Sequence, residues 1–207
     1  MSARALRHFE REATELASQY DSISFNAVHG AIARYLPLPP AQILDIGAGS
    51  GRDARALAAL GYSVVAVEPS AAFRAIAAAS SPQPGISWLE DRLPRLASLS
   101  THAGAFDFVL CSAVLMYVAP RDLAESLAAM GRLLAPNGHL AISVRDPAPN
   151  EPEGLLHRHA DSAIVTAAEK AGLRLAERSE RGDALGRAAN LWRSLVFARP
   201  CAATRPG

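Results

Sequence analysis

Residues 43–54 read Ile-Leu-Asp-Ile-Gly-Ala-Gly-Ser-Gly-Arg-Asp-Ala, and this stretch decides the fold. Ile43, Leu44 and Ile46 are branched and apolar, as a buried strand requires. Gly47, Ala48, Gly49, Ser50 and Gly51 make a tight turn of small residues, which tolerates positive φ and lets a ligand approach the backbone. Arg52 to Leu60 then reads as a helix, whose first turn points free N–H groups back at the turn. Strand, small-residue turn and helix together suit an anionic or polar nucleotide-like ligand.

The elements around this core alternate. Residues 3–19 carry Leu6, Phe9, Ala13, Leu16 and Ala17 at helical spacing, with charges on the other face. Phe25 to Leu36 reads as a second helix, which Asp21 or Ser22 can cap. Pro37, Pro39 and Pro40 end it. Strands are expected at 62–67, 86–89, 106–111, 139–144, 173–179 and 191–198, with helices at 71–79, 121–134 and about 160–171. Alternation at this spacing predicts a parallel sheet with helices on both faces. The short polar link containing Gly182, Asp183 and Gly186 predicts an antiparallel hairpin at one edge. Residues 1–207 are expected to form a single α/β domain, with 1–39 as an N-terminal helical lid segment and 40–200 as its core.

Composition narrows the function. Twenty-one basic residues meet twenty acidic ones, a formal net charge of +1, so no global field favours nucleic acid or an anionic membrane. Two cysteines, Cys111 and Cys201, give neither a disulfide framework nor a paired metal site. The first twenty residues hold several charges and no apolar core of a signal peptide. The longest apolar run, 106–119, is interrupted by Asp107 and too short for a bilayer. A cytoplasmic protein, monomer or homodimer, is the expectation.

In an open sheet of this kind the ligand sits at the carboxyl ends of the strands. Four expected strand ends carry polar groups: Asp45–Gly51, Glu68, Asp91 and Ser112. Glu68, twenty-one residues after Gly47, can accept from both hydroxyls of a ribose. Asp91 can reach an exocyclic purine amine, or can cap its own loop. The turn has Arg52 where the dinucleotide fingerprint places its last glycine, and Asp45 stands two residues before the first. A carboxylate there repels a pyrophosphate and suits a ligand with an ammonium group.

With these residues in view, 43–51, Val65-Ala-Val-Glu-Pro69, Phe106-Asp-Phe-Val-Leu110 and Leu133-Leu-Ala-Pro-Asn-Gly-His-Leu140 resemble the successive motifs of class I S-adenosylmethionine-dependent methyltransferases. The resemblance covers roughly 40–145, and Asn137-Gly138 stands where that family usually has two glycines. It implies a Rossmann-like three-layer sandwich: a seven-stranded, mostly parallel sheet with an antiparallel C-terminal hairpin strand. It also implies S-adenosyl-L-methionine as cofactor. The Gly47–Gly51 backbone would line the methionine portion, Glu68 the ribose and Asp91 the adenine amine, with Ser112 beside the sulfonium. Tyr20 would close over the cofactor as N-terminal aromatics do in similar proteins. The implied cofactor site comprises Tyr20, Asp45, Gly47, Ala48, Gly49, Gly51, Arg52, Glu68, Pro69, Asp91, Arg92 and Ser112.

The acceptor side is less legible. Leu110-Cys-Ser-Ala113 lacks the Asn/Asp-Pro-Pro-aromatic run typical of nucleobase-amine methylation, so a small-molecule substrate is favoured over nucleic acid. Candidates on that side are Tyr117, Arg145, His157 and His159. Arg145 can pair with a substrate carboxylate or with a nearby acid of its own chain. His157 and His159 lack further ligands at metal-site spacing, so no metal is expected. Two alternatives stand beside a methyltransferase: a cofactor-binding partner protein without chemistry, and an NAD-dependent oxidoreductase.

Overall fold

The computed structural model describes residues 1–80, 83–149, 151–187 and 190–201. Its centre is a seven-stranded sheet made of β1 (Gln42–Ile46), β2 (Ser63–Val67), β3 (Ile86–Leu89), β4 (Phe106–Ser112), β5 (Leu134–Arg145), β6 (Arg174–Gly182) and β7 (Leu191–Ala198). The order is β3-β2-β1-β4-β5-β7-β6. Neighbours from β3 through β5 pair in parallel, and β7 runs antiparallel to both β5 and β6. This is the Rossmann-like order, and β1, flanked by β2 and β4, has four consecutive buried residues, Ile43 to Ile46. A strand covered on both faces must be apolar throughout, so the buried Asp45 in that run is an exception that needs a function.

Helices α1 (Ala3–Asp21), α2 (Phe25–His29), α3 (Arg52–Ala59), α4 (Ala71–Ala79), α5 (Leu123–Leu133) and α6 (Asp161–Lys170) flank the sheet. One apolar cluster packs Leu127, Met130 and Ile164 against Leu140, Ile142 and Leu195, and a second packs Leu57 and Tyr62 against Ile43, Val64 and Phe108. Ser70 starts α4 by accepting from the Phe73 N–H at 3.2 Å. The cap of α2 is Ser24, which accepts from the Ala27 N–H, while Asp21 is still the last residue of α1. Beyond His29 the chain tightens into a 3-10 turn, Gly30–Tyr35, instead of continuing the helix to Leu36. Pro136-Asn137-Gly138 does not separate two elements. It lies within β5 as an irregularity where the register against β4 shifts.

α1 crosses to the carboxyl ends of the strands and lies against α4. Phe9 and Tyr20 of α1 approach the Phe73 ring, each at 6.1 Å between centroids, and Phe9 meets Tyr117 edge-on at 4.9 Å. The helix thereby roofs the strand ends where the polar residues gather.

Candidate active site

A cleft of about 1140 Å³, open space at its mouth included, lies at the carboxyl ends of β1 to β4 beneath α1. Its walls include Asp45, the Gly47–Ser50 turn, Glu68, Pro69, Asp91, Arg92 and Ser112, with Tyr20 and Phe73 at the roof.

The turn is held from within. Gly47 and Ala48 donate their N–H groups to the Val67 carbonyl at 2.7 and 3.0 Å, and Gly51 donates to Ala48 at 2.9 Å. Gly49 donates to Glu68 Oε2 at 2.9 Å. Four amides of the turn are thus engaged within the protein, and a pyrophosphate would find none of these four free. Gly47 has φ +70°, and a Cβ on it would run into Val114 Cγ2 within van der Waals distance. Gly51 caps α3 at φ +82°. Both positions demand the left-handed region that glycine adopts at little cost.

Glu68 directly follows β2 and accepts a second bond from Ser70 N–H to Oε1 at 2.8 Å. Burial raises its pKa, and the bonds from Ser70 and Gly49 offset part of that rise. Each oxygen keeps a further lone pair for a ligand hydroxyl. Asp91 lies two residues past β3, but both its oxygens serve its own loop: Oδ1 accepts from Arg92 N–H at 2.7 Å, and Oδ2 from Ser98 N–H and hydroxyl at 2.7 and 2.5 Å. It lines the cleft and caps the loop at once. Ser112 ends β4 and pairs with the Ser143 hydroxyl at 3.0 Å.

Asp45 stands apart among these groups. It is 2% exposed, and its Oδ2 has no hydrogen-bond partner among the described residues. Burial first, then the neighbouring charge of Asp53, pushes its pKa well up, with Arg52 acting the other way. Arg52 is committed elsewhere: its Nε and Nη2 grip the two oxygens of Asp53, each at 2.8 Å. Asp53 also meets the buried His29 Nε2 at 2.9 Å. Burial alone would raise the Asp53 pKa, but His29 and Arg52 together hold it well below the usual range. An orphaned carboxylate at the turn calls for a cationic group on the ligand.

The expected acceptor-side residues divide. Tyr117 lines the cleft, and burial raises its phenol pKa, so it is a neutral hydroxyl there. Arg145, His157 and His159 do not line it. Arg145 forms a two-point ion pair with Glu151, and His159 is buried with Nε2 at 3.0 Å from the Val118 carbonyl oxygen. Among the described residues no cluster of three His, Cys, Asp or Glu side chains is placed to hold a metal. The sequence reading missed the cleft's other corner: Arg181 near the end of β6, Asp183, Leu185 and Arg187 from the β6–β7 link, and Trp192 of β7, which belongs to the buried core and lines the cleft as well. The link's glycines signalled only a turn.

Residues 44–142 match a family model described as a methyltransferase domain. A ubiquinone biosynthesis O-methyltransferase of Methylocella silvestris is 36% identical over 107 residues, 51% of this chain and 41% of that protein. The chain thus spans about two fifths of the length of the curated relative it matches. An S-adenosylmethionine-dependent methyltransferase of Mesorhizobium loti has the same fold, at TM-score 0.68 and 22% identity, covering 84% of this chain and 98% of that one. So does a 1,6-didemethyltoxoflavin-N1-methyltransferase of Burkholderia thailandensis with bound S-adenosylhomocysteine, at TM-score 0.62 and 18% identity, covering 92% and 89%.

Proposed function

We propose that this chain, whose residues 44–142 match a methyltransferase domain, is a class I S-adenosylmethionine-dependent methyltransferase that moves a methyl group to a small-molecule acceptor. The observation that carries the cofactor half is the orphaned Asp45 carboxylate beside a glycine turn whose amides are engaged internally. Asp45 offers its charge to an ammonium, Glu68 its free lone pairs to ribose hydroxyls, and the Gly47 backbone a close seat. The same features disfavour NAD, whose pyrophosphate would face Asp45 and Asp53 with few free donors.

Bound there, the cofactor supplies an electrophilic methyl carbon on a sulfonium, so the protein's task is alignment and exclusion of water. Phe9, Tyr20 and Phe73 roof the cleft with aromatic surface. Ser112 to Val114 and Tyr117 form the side next to the turn. Neither of the candidate histidines, His157 and His159, faces the cleft, and Tyr117 is held neutral. Rate enhancement by proximity and orientation fits this arrangement, and holding two reactants in line can supply about 7–11 kcal/mol. A roofed cleft beneath α1 favours a small acceptor over a polynucleotide, in keeping with a balanced net charge.

The test is S-adenosylhomocysteine release from the protein incubated with S-adenosylmethionine and panels of small hydroxy, amino and carboxy compounds. Release with at least one panel is the expected result. Tight cofactor binding with no release from any panel would favour the non-catalytic partner reading.

A further inference from the structure

We propose that the corner of the cleft built by Arg181 and Trp192 is the acceptor subsite, and that it takes a small molecule with a carboxylate on a flat, apolar body. This rests on the methyltransferase reading and adds the chemistry of the substrate.

Arg181 and Trp192 face each other in register on β6 and β7. The Arg181 guanidinium carbon lies 5.5 Å from the centre of the Trp192 ring system, within the range of a cation over an aromatic face. The indole is fixed from its other end, where Nε1–H donates to Asp183 Oδ2 at 2.9 Å. Asp183 is saturated: the Leu185 N–H, Arg187 guanidinium, Asn190 amide and Trp192 indole all donate to it. Burial alone would raise its pKa, and those four donors hold it well below the usual range.

Three arginines crowd this corner, and two already have carboxylates. Arg145, 5.8 Å from the Trp192 ring, is paired with Glu151, and Arg187 is paired with Asp183. Arg52, on the turn side, is committed to Asp53. Among the described residues Arg181 makes one side-chain bond, from Nη1 to the Gly182 carbonyl at 3.1 Å. Its Nε–H is buried and has no partner among the described residues. A half-buried guanidinium with an unmet donor is costly unless an anion meets it, and its fork geometry matches a carboxylate. The same cleft is also lined by Tyr117, Val114 and Phe9. A planar apolar body could pack against their side chains. The cation that the sequence reading sought in Arg145 is supplied by Arg181.

The experiment is calorimetric titration of the full chain, saturated with S-adenosylhomocysteine, with benzoate, 4-hydroxybenzoate and indole-3-acetate, each against its primary amide. The carboxylates should bind at least about tenfold tighter than the amides, a factor worth about 1.4 kcal/mol. Arg181→Met should erase that preference while changing S-adenosylhomocysteine affinity by less than about twofold, and Arg181→Lys, which keeps the charge, should retain most of it. No preference for carboxylates in the wild type overturns the proposal, as does a preference that survives Arg181→Met. A tenfold loss of S-adenosylhomocysteine affinity in Arg181→Met also overturns it, because Arg181 would then serve the cofactor. Failure of the wild type to bind S-adenosylhomocysteine, read before any carboxylate is added, overturns the methyltransferase reading itself.

Discussion

Glu68 offers the sharpest perturbation, because one carboxylate serves two masters. Its oxygens already accept the Gly49 and Ser70 N–H groups, and their remaining lone pairs are what we assign to the ribose hydroxyls. Glu68→Ala removes both sets of bonds. Two hydrogen bonds to a charged acceptor contribute about 1.5 kcal/mol each or more, so affinity for S-adenosylhomocysteine should fall by about 3 kcal/mol, roughly 100-fold. The two orphaned N–H groups would cost about 2 kcal/mol of folding free energy together, with water reaching part of the site. For a chain of this size that lowers Tm by roughly 4–8 °C. Calorimetry with adenosine and 2′,3′-dideoxyadenosine separates the two effects. If Glu68 reads the hydroxyls, the substitution weakens adenosine binding strongly and dideoxyadenosine binding little. An equal loss for both nucleosides, or an unchanged S-adenosylhomocysteine affinity in a folded variant, would refute the assignment.

Further outcomes follow from neighbouring residues. Asp45 has a raised pKa because it is buried without a partner, so the free protein loses stability as pH rises through that pKa. A ligand ammonium favours the ionised form, so S-adenosylmethionine affinity should rise with pH over the same window, with a proton released. Calorimetry in buffers of different ionisation enthalpy should detect that proton, and Asp45→Asn should abolish both the release and the pH dependence. Gly47→Ala places a Cβ against Val114 at φ +70°. Left-handed backbone alone costs about 1–2 kcal/mol, so thermal unfolding should shift down and S-adenosylhomocysteine binding should weaken at least tenfold. Arg145→Ala, which strips the partner from Glu151, should lower stability by about 2–3 kcal/mol in denaturant melts, with cofactor affinity unchanged. Cys111 is buried with its thiol pKa pushed up to about 12, whereas Cys201 is exposed. Ellman titration should count one reactive thiol in the native protein and two after denaturation.

The sheet was legible in the sequence because its signals are local. Val64 to Val67 and Phe108 to Leu110 are apolar runs bounded by polar residues at their carboxyl ends, and both strands fell within a residue or two of the expected limits. Helix α4 matched because Ser70 both caps and marks it. Four polar strand ends could be placed together without coordinates, because a parallel sheet brings its carboxyl ends to one rim. The corner at Arg181 could not be found that way. Arg145, Arg181 and Arg187 are the same residue type on neighbouring segments. Which of them is left without a carboxylate depends on how Glu151 and Asp183 fold back. The His29–Asp53 contact was equally invisible, since it joins two helices 24 residues apart. Trp192 reads as core by type, and only its place at the β6–β7 rim sets it in the cleft wall.

The central claim is that the Gly47–Gly51 turn, Asp45 and Glu68 hold a sulfonium amino-acid nucleoside and not a dinucleotide. Parallel calorimetric titrations of the wild-type chain with S-adenosylmethionine, S-adenosylhomocysteine and NAD test it directly. The account predicts one-to-one binding of the first two and no measurable heat with NAD; binding of NAD, or of none of the three, would contradict it.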